Sequence, residues 1–264
     1  MDEHVARFHR LHESGCFVIP NPWDLGSARV LVQLGFKAIA TTSSGFAWSQ
    51  ARPDNHVTLD QVLAHLRAMS AAVDVPVNAD FEGGFAIKPE DVARNVAAAC
   101  ETGIAGLSIE DSTHDQAKPL FDFDLAVERM RAAREAIDRS GSGVLLVGRT
   151  ESGPPDLDER IRRLKAYSDA GADCLFAPGL REIADIRAVV KAVAPKPVNV
   201  LVSSDFTTEN AMREAGVRRI SVGGALARAA WAAFYEAATE IAERGTFTAL
   251  TGAMPGTKVN GFFT

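Results

Sequence analysis

Short, continuous apolar runs alternate with longer stretches of helical period along the whole chain. The first four runs are residues 16–21 (CFVIPN), 38–42 (AIATT), 75–80 (VPVNAD) and 106–111 (GLSIED). The second four are residues 144–150 (VLLVGRT), 174–179 (CLFAPG), 197–202 (PVNVLV) and 219–224 (RISVGG). Their starts lie 22, 37, 31, 38, 30, 23 and 22 residues apart, room each time for one crossover helix. Unbroken apolarity within a run is the mark of a strand buried on both faces, as parallel strands are. Helix punctuation falls between the runs. Residues 102–106 (TGIAG), 170–174 (AGADC) and 215–219 (AGVRR) place Gly just past a helix end. Thr58 and Lys88-Pro89 stand at helix starts, with Glu90 and Asp91 in a first turn near the positive end of the dipole. Eight such units without a linker predict one α/β domain over residues 1–264, a (β/α)8 TIM-type barrel. An open doubly wound sheet is the runner-up, disfavoured because no run reads as an edge strand. The tail from about residue 246 has no helical period and is expected to be an arm on the barrel or on a neighbouring subunit.

Composition narrows the class. The 264 residues are 47% hydrophobic and 23% charged, which excludes disorder and collagen. The net charge of −6 gives no reason to expect a nucleic-acid or anionic-membrane partner. Cys16, Cys100 and Cys174 are scattered and odd in number, no disulfide framework, and read as core packing. The N-terminus lacks the apolar segment of a signal peptide, and no run approaches the roughly 20 residues of a membrane span. The expectation is a cytoplasmic protein.

In such a barrel the active site lies at the C-terminal strand ends. Those ends read Asn21, Thr42 to Gly45, Asn78 and Asp80, Glu110-Asp111, Arg149 to Glu151, Pro178-Gly179, Asn199 with Ser203-Ser204, and Ser221 with Gly223-Gly224. Polar groups converge on the mouth while the strand interiors read as apolar. Asp80 and Glu110 end apolar strands, and with Glu82 and the loop acid Asp54 they form an oxygen-rich set. Such a set suits a hard cation that keeps waters, Mg²⁺ or Mn²⁺. Glu82 and Asp111 read equally well as cap or surface acids. Arg149 either grips a substrate carboxylate or closes a salt bridge to Glu110 or Glu151. Ser43, Ser44 and Gly45 either present donors to a carboxylate or make a plain turn, and Trp48 beside them is a candidate pocket wall. Asn199 is a candidate substrate contact. Gly223-Gly224 is open between a phosphate site and close packing. Of six histidines only His56 and His114 fall on mouth loops.

These motifs, in order, resemble the isocitrate lyase / phosphoenolpyruvate mutase superfamily. The likeness runs through FVIPNPWDLGSARVLVQLGFKAIATTSSGFA, PVNADFEGGF, SIED, GRTES, AGADCLFAPGL and GVRRISVGGALARAAW, nearly the whole chain. The resemblance implies a barrel that exchanges its last helix between subunits of a dimer or tetramer. It also implies Mg²⁺, and an α-oxo or 2-hydroxy carboxylate substrate reacting through an enolpyruvate-like intermediate. By motif, Asp80 matches the second acid of an Asp-x-Asp metal motif, Glu110 the acid of a Glu-Asp strand end, and Asp54 the loop acid reaching the metal through water. Arg149 matches the substrate arginine, and Ser43 to Gly45 the carboxylate-binding turn. The chain departs from the pattern in three places. Asn78 stands where the first metal-motif acid belongs. Residues 112–120 (STHDQAKPL) lack the Cys that protonates the enolate in the carbon–carbon lyases, and they lack the Lys and Asn-Ser of the phosphonomutases. Pro178-Gly179 replaces an acid that follows the sixth strand in some members. What remains implies lysis or decarboxylation of a small di-acid, with Arg149, Glu110 and His114 as the catalytic set and His114, Lys118 or water as proton donor. The alternatives are P–C bond chemistry on a phosphonopyruvate-like substrate, and a keto-acid-binding barrel without turnover.

Overall fold

The computed structural model describes residues 2–151 and 156–263. The eight expected strands are all present: β1 Phe17–Ile19, β2 Ile39–Ala40, β3 Val77–Asp80, β4 Gly106–Glu110, β5 Leu145–Arg149, β6 Cys174–Phe176, β7 Val198–Leu201 and β8 Arg219–Ser221. All pairings are parallel, in the order β1-β8-β7-β6-β5-β4-β3-β2. The remaining seam, β1 to β2, is bridged where the Ala40 N–H donates to the Pro20 carbonyl at 3.0 Å and Asn21 Nδ2 to the Thr41 carbonyl at 2.9 Å. The sheet is a (β/α)8 barrel.

Eleven α-helices accompany the strands among the described residues: α1 Glu3–Glu13, α2 Leu25–Gln33, α3 Ser43–Ser49, α4 Leu59–Ala72, α5 Pro89–Cys100, α6 Phe123–Ser140, α7 Leu157–Asp169, α8 Ile183–Val193, α9 Glu209–Glu214, α10 Ala225–Arg244 and α11 Gly256–Asn260. Their starts follow the local chemistry. Thr58 and Gln61 form a reciprocal capping box on α4, and Pro89 opens α5, where its missing N–H is no loss. Gly103, Gly171 and Gly216 take positive φ just beyond helix ends, as the sequence predicts.

The strands are shorter than their apolar runs, and residues at the mouth use their side chains to bond across the strand ends. Thr41 and Thr42, expected in the second strand, are one such pair. The Thr41 hydroxyl accepts from the Asp80 N–H at 2.9 Å, and Thr42 caps α3.

α1 closes the barrel's N-terminal end. Phe8 is fully buried there, His12 is 8% exposed, and the His9 ring bonds the Gly143 carbonyl at 2.8 Å. α10 behaves differently from the other long helices. Only Ala227 and Glu240 of its 20 residues are buried, while Trp231, Phe234, Tyr235 and Ile241 are exposed. The tail, expected to lack helix, contains α11 and a 3₁₀ turn at Thr248–Leu250. That turn is ordered by Glu240, whose carboxylate accepts the Thr248 and Ala249 N–H groups at 2.8 and 2.6 Å. The tail then returns to the barrel, where Gln33 Nε2 donates to the Phe262 carbonyl.

Candidate active site

A cavity of about 170 Å³ opens at the C-terminal end of the strands, lined by Thr41 to Ser44, Asp54, Asp80 and Arg149, among others. Arg149, the last residue of β5, is its electrostatic centre. Nη1 lies 3.1 Å from both Asp80 Oδ1 and Glu110 Oε2, and Nε donates to Glu151. Burial works to strip its proton, but Glu110, Glu151 and Asp80 outweigh that and hold the guanidinium firmly charged. Of the two readings offered for Arg149, the ion pair to Glu110 and Glu151 is therefore present, with Asp80 added, and the cation still lines the cavity.

The acids outnumber their counter-charge. Glu82 sits at φ +48° with its carboxyl buried, and its Oε1 has no hydrogen-bond partner among the described residues. Burial, then Asp80 and Asp54, push Glu82 up to about 8. Burial and Asp80 raise Asp54 as well, and burial raises Glu110 despite its contact with Arg149. A hard divalent cation fits this shortage of positive charge, because the donors are all oxygen and one buried carboxylate oxygen is orphaned. Among the described residues no three of these acids are set to hold a metal ion directly, so a cation here would have to keep several of its waters.

The other expected residues are placed as follows. Residues 43–45, expected as a turn, are the first turn of α3. The Ser43 N–H donates to Asp80 Oδ2 at 2.9 Å, and Ser43 and Ser44 line the cavity. Gly45 is buried behind that wall, where an added Cβ would stand 2.7 Å from Thr42 Cγ2 and 2.8 Å from Trp23 Cβ. Asn199 lines the cavity deeper down and donates to Ser221 Oγ at 2.9 Å. His114 reaches the rim with Nε2 3.6 Å from Glu110 Oε1, and burial lowers its pKa. Lys118 turns away and pairs with Asp122 at 2.8 Å. The loop of residues 112–120 folds on itself through a Ser112–Leu120 bridge and a bond from the Thr113 N–H to the Pro119 carbonyl. Ser152, at the end of the GRTES run, lies outside the described residues.

Several expectations change. Asp111 is neither a surface acid nor a metal neighbour. It is 2% exposed and accepts from Thr150 Oγ1, the Glu151 N–H, Arg163 Nη1 and the Tyr167 hydroxyl. That set ties the ends of β4 and β5 to α7. Trp48 does not wall the cavity; its ring packs on Gly224. Gly223 offers no free amide to a phosphate, because Asn21 Oδ1 takes the Val222 and Gly223 N–H groups at 2.9 Å each. The strand interiors are not uniformly apolar either. Asn78, Ser108, Asn199, Arg219 and Ser221 all line the cavity. Arg219 passes unnoticed in the sequence because it sits at the start of an apolar run. The polar alternation Arg219, Ser221 is the signal that marks this strand as facing a cavity.

Four matches to known proteins bear on this geometry. A family model described as phosphoenolpyruvate phosphomutase matches residues 8–242. A solved structure titled a "putative lyase/mutase" from Burkholderia cenocepacia J2315 is 45% identical, with a TM-score of 0.95 over 98% of this chain and 96% of that one. The structure of a 2,3-dimethylmalate lyase is 29% identical, with a TM-score of 0.88 over 100% of this chain and 95% of that one. A Corynebacterium glutamicum protein named "Probable 2-methylisocitrate lyase 1" is 29% identical over 240 residues, 86% of this chain and 78% of its own.

Proposed function

The chain belongs to the phosphoenolpyruvate phosphomutase family, and from that membership and the mouth geometry we propose a Mg²⁺-dependent carbon–carbon lyase for a small α-oxo or 2-hydroxy di-acid. The observation that carries the reading is Arg149, a fully charged guanidinium in a small cavity, set among acids that lack enough positive charge. Relatives named as lyases of dimethylmalate and methylisocitrate support the substrate class.

Asp80, Glu82, Glu110 and Asp54 are the residues that would hold the cation, in part through its waters. A bound Mg²⁺ (or Mn²⁺) supplies Lewis-acid stabilisation of negative charge on a substrate oxygen. Arg149 binds and orients the carboxylate beside the reacting carbon. Ser43 and Ser44 line the same wall and add polar contacts. In a decarboxylation the electrons of the breaking C–C bond move into an enolate as CO₂ departs, and a proton then reaches carbon. His114 stands at the rim, uncharged at neutral pH because burial lowers its pKa, and relays that proton from water. Loop 112–120 has no thiol for the task and folds on itself, so the proton comes from His114 or solvent. The exposed apolar face of α10 supports a homo-oligomer, dimer or tetramer, with that helix at the interface.

The test is a substrate panel of oxaloacetate, 2-methylisocitrate, 2,3-dimethylmalate and phosphonopyruvate with Mg²⁺, read by pyruvate, phosphoenolpyruvate and phosphate release. Pyruvate from one of the first three is expected, lost on chelation and reduced about a hundredfold or more by Asp80→Ala. Turnover of phosphonopyruvate alone would establish P–C chemistry instead. Binding without any turnover would establish a keto-acid-binding barrel.

A further inference from the structure

Arg219 is an arginine inside a barrel with nothing to neutralise it. It is 3% exposed, and among the described residues it forms no ion pair. Nε donates to Asn199 Oδ1 at 2.9 Å and Nη1 to Asn78 Oδ1 at 3.4 Å, and both of these partners are neutral amide oxygens. Both amides are themselves held in place: Asn199 Nδ2 donates to Ser221 Oγ, and Asn78 Nδ2 to the Ala79 carbonyl. The titratable neighbours carry no charge. Burial, then Arg219 itself, pushes His12 down to about 3, and burial raises the Cys174 thiol. Below Arg219 the barrel is closed by Phe8, and Gly106 exists to admit it. A Cβ on Gly106 would stand 2.5 Å from the Phe8 ring and 2.8 Å from Asn78 Oδ1. Above Arg219 is the cavity, which it lines together with Asn78, Asn199 and Ser221.

A guanidinium has five N–H donors, and a buried one without a counter-anion is costly. A fold retains such a group when a ligand supplies the missing charge. We infer that the Arg219–Asn78–Asn199 floor is a second anion subsite, which takes the distal carboxylate or phosphonate of the substrate while Arg149 and the acid cluster hold its α-oxo-acid end. The inference rests on the reading of the cavity as the substrate site, and it makes that substrate a compact dianion lying along the barrel axis. It also gives Asn78 a role. An acid at this position would pair with Arg219 internally and compete with the ligand, whereas the amide orients the guanidinium and leaves its charge free. The small cavity suits this, since two fixed cationic ends set the length of the ligand between them.

The test compares pyruvate, which has one anionic end, with 3,3-difluorooxaloacetate and phosphonopyruvate, which have two. Binding is measured calorimetrically in Mg²⁺ buffer for the wild type, Arg219→Met and Asn199→Asp. The wild type is expected to bind one of the dianions at least about tenfold tighter than pyruvate. Which one does so assigns the distal group as carboxylate or phosphonate. Arg219→Met removes the cation, and Asn199→Asp neutralises it in place. Each should erase the preference while moving pyruvate affinity by less than about twofold. Asn199→Asp should also raise Tm, because it gives a buried cation its partner, and it keeps the test intact if Arg219→Met fails to fold. A dianion preference that survives Asn199→Asp, or an equal loss of pyruvate and dianion binding in either variant, overturns the subsite. If the wild type binds none of the three, the α-oxo-acid reading fails, and inorganic sulfate decides the subsite separately. A sulfate-dependent rise in wild-type Tm that both variants lose sustains the anion site, and no rise overturns it.

Discussion

Glu82 illustrates how much of a site is decided one residue at a time. Its position two residues beyond Asp80 is visible in the sequence, where it reads equally well as a surface acid. Only the left-handed backbone at φ +48° turns it inward, next to Asp80 and Asp54, with one oxygen orphaned. Arg219 is the opposite case, a charge hidden in an apolar run whose importance depends on having no anion beside it. Its reach extends to His12, which is neutral for two reasons, burial and that cation. This has a measurable consequence. Burial and Arg219 hold His12 down to about 3 in the folded protein, below the 6.5 of a free histidine, so the unfolded chain binds the proton first as pH falls. The contribution is complete above the unfolded pKa and is lost progressively as pH drops from 6.5 towards about 3. His12→Gln should therefore flatten the acid side of the stability curve, by on the order of 3 kcal/mol between pH 6.5 and 4. Urea midpoints measured across that range check it. Parallel curves for the two proteins would place the acid sensitivity elsewhere.

At the scale of elements, the strands deliver their last residues to the mouth and their first residues to the floor. The spacing of apolar runs locates every strand, because burial on both faces leaves a compositional mark that survives without the partner strands. Helix starts are equally legible, since a cap acts within four residues of itself. Residues 43–45 are the exception. A Ser-Ser-Gly triplet carries turn chemistry, yet Thr42 caps it and Asp80 takes the Ser43 amide, so the chain continues as α3. Asp111 shows the same limit. It is next to Glu110 in sequence but on the opposite side of β4, bonded to Arg163 and Tyr167 of α7 rather than facing the cavity. Tyr167→Phe deletes the 2.5 Å bond to Asp111 while its other partners remain. The expected cost is about 1–3 kcal/mol, read as a lower Tm, with KM for the substrate unchanged. An altered KM would mean that the network reaches the cavity.

For the whole molecule, the outstanding feature is α10, a 20-residue helix with Trp231, Phe234 and Tyr235 exposed along one side. Trp231 and Tyr235 form an apolar groove with Trp48 and Ala51 of α3 and the loop that follows it. The proposed homo-oligomer would bury that face against a second copy. Sedimentation equilibrium should give a dimer or tetramer, and Phe234→Glu with Tyr235→Glu should shift it to monomer at micromolar concentration. A wild-type monomer would remove the oligomer from the account. Among the described residues no helix is long and apolar enough to cross a membrane, so this surface is not a span.

The chain by itself determined the strand count, their parallel order, the crossover helices and the family. Each of these depends on apolar period, local caps or motif order, properties that a residue carries with its neighbours. The tertiary structure decided which charges meet. It set Arg149 among Asp80, Glu110 and Glu151, sent Asp111 outward, left Glu82 short of a partner and placed Arg219 without an anion on the cavity floor. The physical reason is that burial and Coulomb interaction act through space. A charge's effect is therefore set by groups tens of residues away in sequence, which only closure of the barrel brings within reach.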